Sequence, residues 1–219
     1  MRAFILDLET APLPNASDYL DPVEAAKNLR DPDKIKADIE RRQREQVSDC
    51  GLDWNLNRIV CAGLWGEDEH PTIISATGDS TEREILKEIA ARLTAPRPQI
   101  MGFCIRRFDV PVILQRARYL GVSMPRISLK RYDNPHLIDL YDVLTFDEQP
   151  CTSVMRRSLT SFCRRFGIDV ADEHRGADVA SLVAEGNYDA IEAHCRADVL
   201  RVKALAERLG YLKAVEQAV

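Results

Sequence analysis

The stretch Phe4-Ile5-Leu6-Asp7-Leu8-Glu9-Thr10 constrains this chain more than any other. Ala3 to Leu8 is an apolar run broken only by Asp7, then followed by Glu9, and it reads as a buried strand. Positions two apart on a strand share a face, so Asp7 and Glu9 point the same way, roughly 6.5–7 Å apart. A buried carboxylate is costly unless a positive group meets it, and two together repel. A divalent cation, or a pair of them, answers both costs. Carboxylates are natural ligands for hard cations, and two-metal phosphoryl-transfer sites hold their ions ~3.5–4 Å apart. The plainer alternative is a strand end whose acids emerge into water. Which one holds depends on whether further carboxylates arrive in suitable contexts.

With 219 residues, 45% hydrophobic and 30% charged, the chain has the balance of one soluble domain, residues 1–219, with a sizeable core. No apolar run approaches the ~18–20 residues that cross a bilayer, so no membrane is expected. Met1-Arg2-Ala3-Phe4 leads straight into the strand, which predicts no signal peptide. The net charge of −5 argues against coating nucleic acid by bulk charge and leaves room for local basic patches. The six cysteines, at 50, 61, 104, 151, 163 and 195, form no Cys-x-x-Cys pair, which speaks against zinc and redox motifs. Cys61, Cys104 and Cys163 sit in apolar patterns as small core residues, and free buried thiols suit a reducing cytoplasm. Walker, Gly-x-Gly-x-x-Gly and Gly-x-Ser-x-Gly signatures are all absent from the sequence.

After the first strand, 11–29 is a connector interrupted by Pro12, Pro14 and Pro22. A strongly charged helix follows over 34–47, with Ile35, Ile39 and Val47 as a thin apolar stripe. It is either a solvated helix covering one edge or a flap carrying Arg41, Arg42 and Arg44 toward an anionic substrate. Strands are expected at 58–65 and 72–76, joined as an antiparallel hairpin. Ile85, Leu86, Ile89 and Leu93 mark a helix ended by Pro96 and Pro98. A fourth strand spans 99–103, and a helix runs from Asp109 to about Leu120, closed by Gly121. Asp109 occupies a normal capping position. Leu137-Ile138-Asp139-Leu140 is a fifth strand entering a helix, and 145–154 is loop. Helices are expected at 158–166, 177–184 and 189–209. This order predicts an α/β fold with a mixed sheet.

On the terminal helix, His194 and Asp198 are four residues apart and share a face, with Ile191, Leu200 and Val202 around it. Either they are a satisfied core histidine and its partner, or they join the acids of the first strand. Three segments now stand in order: Asp7-Leu8-Glu9-Thr10, then Gly102-Phe103-Cys104-Ile105-Arg106-Arg107-Phe108-Asp109-Val110-Pro111, then His194-Cys195-Arg196-Ala197-Asp198-Val199. Together they resemble the motifs of the DEDD (DnaQ-like) superfamily of 3′→5′ exonucleases. Leu137 to Leu140 and Gly176-Ala177-Asp178-Val179 resemble the branch related to the exonuclease domain of family-B DNA polymerases. The resemblance spans the chain apart from the charged insert at about 27–56.

The resemblance implies a ribonuclease H-like fold, a mixed five-stranded sheet flanked by helices. It implies that Asp7, Glu9, Asp109 and Asp198 bind two Mg²⁺ or Mn²⁺ ions and that His194 is the general base. The implied reaction is hydrolysis at the 3′ end of single-stranded nucleic acid, DNA over RNA, with release of nucleoside 5′-monophosphates. Roles in DNA repair or replication, with a polymerase acting in trans, go with it. Leu8 and Thr10 would border the terminal nucleotide. Arg106 and Arg107 are candidates for phosphate, and Phe103 and Phe108 for base stacking, beside core roles. Arg156 and Arg157 flank another expected site loop, and the arginines at 116, 118, 126, 131, 164 and 165 read as solvated faces. Two positions depart from the family pattern. Family members carry Tyr four residues before the last Asp or His five before it, whereas His194 has the Tyr spacing. Cys104 stands where the second motif often has Asn. The alternatives are an exoribonuclease of the same fold, or a catalytically weak nucleic-acid-binding or replication accessory protein.

Overall fold

The computed structural model describes residues 3–66, 70–77, 81–94, 99–130, 133–146 and 157–213. Pro96, Pro98, Arg131, Cys151, Arg156 and most of the loop expected at 145–154 lie outside them.

The sheet is built around β1 (Ala3–Pro12), which pairs antiparallel with β2 (Asn57–Gly66) and parallel with β4 (Gln99–Gly102). β3 (Thr72–Ser75) adds antiparallel to β2, and β5 (Leu137–Asp139) adds parallel to β4. The order is β3-β2-β1-β4-β5, a mixed five-stranded sheet. The helices among the described residues are α1 (Pro32–Asp49), α2 (Glu82–Leu93), α3 (Asp109–Leu120), α4 (Leu140–Leu144), α5 (Leu159–Arg165), α6 (Val179–Glu185) and α7 (Tyr188–Arg208). Gly121 and Gly186 adopt positive φ of 64° and 71° at the ends of α3 and α6, a conformation open to glycine at no steric cost.

The period-two pattern of β1 sorts its side chains into two layers. Phe4, Leu6 and Leu8 enter a core with Ile85, Leu86 and Ile89 of α2 and Val110, Val112 and Ile113 of α3. Ala3 and Ile5 face the other way, into a core with Leu140, Leu159, Val199, Val202 and Leu205. Asp7 and Glu9 continue that second face, toward α7. β1 runs four residues past the expected Leu8, and a bulge between Glu9 and Thr10 shifts its register on β2.

Gly63 of β2 lies opposite Asp7. A Cβ there would stand 2.5 Å from Val199 Cγ2 and 2.9 Å from Cys195 Sγ. The missing side chain is what lets α7 lie directly on the sheet, and so what brings its polar residues beside β1. Leu200, expected among the residues around His194 and Asp198, is 36% exposed instead, because it falls on the outer side of α7.

α1 buries no residue. It rests against β1 and the 3-10 turn Cys50–Leu52. Two of its arginines are engaged locally: Arg41 pairs with Asp38 and Glu45 at 2.5 and 2.7 Å, and Arg42 with Asp38 at 2.9 Å. Cys61 and Cys163 are core residues as expected, joined by Cys50 and Cys195. Cys104 is only half-buried, because it lies in the loop after β4. No helix among the described residues is long and apolar enough to cross a membrane.

Candidate active site

A cleft of about 960 Å³ opens beside β1 and α7. Asp7, Leu8 and Glu9 line it from the sheet, and His194, Asp198 and Arg201 from the helix. Its far wall is Ser158 to Thr160 at the start of α5, Arg164, and the loop from Ile168 to Gly176. Ligand atoms of Glu9, His194 and Asp198 lie within 4.8 Å of one another, and so do those of Asp7, Glu9 and Cys195. Residues 185 positions apart in the chain are thus gathered at one point by β1 and α7.

Asp7 and Glu9 are driven toward the neutral form. Burial, reinforced by the charges of Asp198, Glu9 and Asp109, holds the Asp7 carboxyl well above its ordinary range. Burial does the same to Glu9, with Asp198 the strongest neighbouring charge. The Cys195 thiol lies 3.9 Å from Asp7 Oδ2 and is held far above its ordinary range by its contact with Cys61 and by burial.

Asp109 is the first residue of α3 and is 4% exposed, and the N-cap position is Phe108. It belongs to neither of the close sets and does not line the cleft. Its charge nevertheless acts on Asp7 and Glu9. Burial pushes its carboxyl up to about 7, with its own backbone amide and that of Leu8 pulling the other way and Asp139 adding to the rise.

The loop that delivers Asp109 hangs on Asp139. This carboxylate, 2% exposed at the end of β5, accepts from the backbone amides of Cys104 at 2.9 Å, Arg106 at 3.1 Å and Tyr141 at 3.0 Å. Cys104 has φ 60°, the left-handed region where Asn and Gly are at ease. This accounts physically for the Asn that the motif often carries there.

The expected substrate residues divide. Leu8 lines the cleft, whereas Thr10 turns to donate to the Gly51 carbonyl at 2.6 Å. Arg106 donates to the carbonyls of Leu137 and Asn134, the latter at 3.2 Å. Arg107 pairs with Asp142 at 2.7 Å and lies over the Tyr141 ring. Phe103 packs edge-on against Tyr141 and Phe162, and Phe108 packs on the α2/α3 core. None of these four lines the cleft.

Two residues that the sequence did not mark are central. Asp172 Oδ2 meets His194 Nδ1 at 2.8 Å and Arg201 Nη1 at 2.7 Å. The same Arg201 nitrogen reaches Asp198 Oδ1 at 2.5 Å, and its other one donates to the Val170 carbonyl at 3.0 Å. Burial raises the Asp172 carboxyl, but Arg201, the His174 amide and His194 outweigh it and hold the group below its ordinary range. Arg201 is legible in hindsight, since 194, 198 and 201 follow one helix face. Asp172 sits in an irregular loop and carries no local signal.

Residues 53–213 match a family described as a predicted 3′-5′ exonuclease related to the exonuclease domain of PolB. The matched stretch contains Asp109, Asp172, His194, Asp198 and Arg201 and begins after Asp7 and Glu9. No curated protein matches the chain. Among solved structures, the family B DNA polymerase from the hyperthermophilic archaeon Pyrobaculum calidifontis superposes with a TM-score of 0.60 at 18% identity, covering 95% of this chain. The chain spans 24% of that polymerase's length, and the likeness shows the fold: α/β, ribonuclease H-like, a mixed five-stranded sheet flanked by helices. With the family match extending over well more than half of its residues, the chain belongs to the predicted 3′-5′ exonucleases related to the exonuclease domain of PolB.

Proposed function

We propose that this protein is a two-metal-dependent 3′→5′ exonuclease that hydrolyses the terminal phosphodiester of single-stranded DNA and releases nucleoside 5′-monophosphates. The observation that carries the reading is the meeting of Asp7, Glu9, Asp198 and His194 in one cleft, with Asp109 close enough to act on the first two by charge. A binding module has no use for buried carboxylates that repel each other.

The donor set fits hard divalent cations. Several carboxylates are buried together, and Arg201 is the one guanidinium that touches them among the described residues, at Asp198. Asp7, Glu9, Asp109 and Asp198 would hold Mg²⁺ or Mn²⁺, two ions in this reading, and the bound ions would polarise the phosphoryl group and acidify water. His194 then takes the proton of the attacking water at Nε2. The new bond is water oxygen to phosphorus, the bond that breaks is phosphorus to the 3′-oxygen, the leaving 3′-oxygen takes up a proton from solvent, and the imidazolium returns its own proton to solvent. Leu8, on the cleft floor, borders the terminal nucleotide. Thr10, Phe103, Arg106, Arg107 and Phe108 support the walls rather than contact substrate.

In the same reading, residues 1–219 form one exonuclease unit with 27–56 as a charged insert, and any proofreading or repair partner is a polymerase acting in trans. The test uses 5′-labelled single-stranded DNA and RNA of one sequence, with Mg²⁺, Mn²⁺ or EDTA and Asp198→Ala as control. A ladder shortening from the 3′ end, lost in EDTA and in the variant, is expected on DNA. A ladder on RNA alone makes the protein an exoribonuclease. An intact label throughout, from folded protein, overturns the enzyme reading in favour of a nucleic-acid-binding accessory protein.

A further inference from the structure

We infer that Asp172 is the positioning residue for His194: it accepts the Nδ1 proton, fixes the ring as the Nδ1–H tautomer, and leaves the Nε2 lone pair as the proton acceptor in the cleft, with Arg201 as its anchor. The inference rests on the reading of His194 as general base.

The geometry leaves little freedom. Asp172 Oδ2 lies 2.7 Å from Arg201 Nη1, and that guanidinium helps hold the carboxyl below its ordinary range; the ionised carboxylate only accepts, so Nδ1 at 2.8 Å is the donor. Little of either side chain is exposed, 3% of Asp172 and 6% of His194, so water competes only weakly for the bond. Nε2 faces Glu9 Oε1 at 3.6 Å, beyond hydrogen-bond range, and is therefore not spent on a partner. Asp172 comes from a loop outside regular structure, yet it is held at both oxygens. Its Oδ1 accepts from the His174 amide at 3.1 Å, while Arg201 ties the loop to α7 through the Val170 carbonyl at 3.0 Å. Arg201 Nη1 also contacts Asp198 Oδ1 at 2.5 Å, so one guanidinium sets the base's partner and a proposed ligand carboxylate in register.

This arrangement also accounts for a histidine working at the four-residue spacing. The direction of its ring is set by a partner arriving from the 168–175 loop, not by helix position alone. Second-shell carboxylates orient imidazoles in this way at metal and acyl-transfer sites.

Two measurements test it. The first needs no variant and no activity: ¹⁵N spectra of the His194 ring in the Mg²⁺-saturated protein. A protonated-type Nδ1 with an unprotonated-type Nε2 is expected, and the opposite tautomer overturns the inference even if the protein is a nuclease. The second is steady-state kinetics of the isosteric Asp172→Asn. The kcat should fall on the order of 10²- to 10⁴-fold, the share that general-base catalysis supplies, with KM and Mn²⁺ affinity unchanged. In a His194→Ala background the same change should cost nothing further. Wild-type kcat in Asp172→Asn, or full additivity with His194→Ala, refutes the positioning role and leaves the exonuclease reading standing. Absence of activity in the wild type refutes that reading while the tautomer measurement still reports on Asp172.

Discussion

Stripping the divalent cations should give a protein whose stability falls as pH rises through neutrality, opposite to the usual acid-limited behaviour. Burial lifts the Asp109 carboxyl from its ordinary 3.8 to about 7 in the folded chain. The native state therefore binds the proton more tightly than the unfolded chain does. The stability this confers is fully present below pH ~4 and is lost as pH climbs through about 7. The distance between 3.8 and about 7, at 1.36 kcal/mol per tenfold change in acidity, is on the order of 4 kcal/mol. Asp7 and Glu9 are raised in the same direction and deepen the fall. Between pH 5 and about 7 roughly 3 kcal/mol of this is lost, which at roughly 2–4 °C per kcal/mol for a chain of this size is about 6–12 °C in Tm from Asp109 alone. The figure is an upper one, because water entering the site would relieve part of the repulsion. The assay is thermal unfolding of EDTA-treated protein from pH 5 to 8.5, with Asp109→Asn beside the wild type. The window avoids the acid limb, where Asp38, held at about 2 by the Ala26 amide and the arginines beside it, loses its ion pairs. Asp109→Asn should flatten the curve and overtake the wild type above neutrality. Saturating Mn²⁺ should reverse the slope, since a bound cation favours the ionised carboxylates. A metal-free curve that is flat or rises between pH 5 and 8, or an Asn variant falling as steeply as the wild type, would refute the electrostatic account of the cluster.

Cys104→Asn should stabilise the protein by about 1 kcal/mol, since φ 60° costs an ordinary side chain ~1–2 kcal/mol; a lower urea midpoint would mean that the thiol's packing outweighs the backbone. Gly63→Ala forces a Cβ within 2.5 Å of Val199 Cγ2 and should cost ~1–3 kcal/mol while moving His194 and Asp198, lowering kcat. Adding Val199→Ala should restore part of both, and no restoration would argue against the close approach as the cause. Arg116 makes two 2.7 Å bonds to Glu82, which also accepts from the Ile59 amide, and Arg116→Ala should cost ~3–5 kcal/mol by leaving a buried carboxylate unpaired. A loss under ~1 kcal/mol in chemical denaturation would place the pair with exposed ion pairs.

Much of the architecture was legible because its signals are local. The stripe of Ile85, Leu86, Ile89 and Leu93 is α2, and the apolar run interrupted at Asp7 and Glu9 is a buried strand with both acids on one face. The extension of β1 to Pro12 was not legible, because the bulge at Glu9/Thr10 and the pairing of Pro12 with Asn57 depend on β2. Arg106, Arg107, Phe103 and Phe108 show the limit from the other side. Proximity to Asp109 in sequence suggested substrate, whereas in the structure Arg107 meets Asp142, Arg106 backbone carbonyls, Phe103 aromatic neighbours and Phe108 the α2/α3 core.

The sequence by itself determined that Asp7 and Glu9 share one face of β1 and that His194 and Asp198 share one face of α7, because strand alternation and helical spacing are properties of neighbouring residues. Tertiary structure alone decided the rest. It decided that Gly63 admits α7 against the sheet, that Cys195 comes within 3.9 Å of Asp7, and that Asp172 and Arg201 close around His194 and Asp198. These are contacts between segments far apart in the chain. Their distances follow from how the two layers pack on β1, and no local pattern encodes that packing.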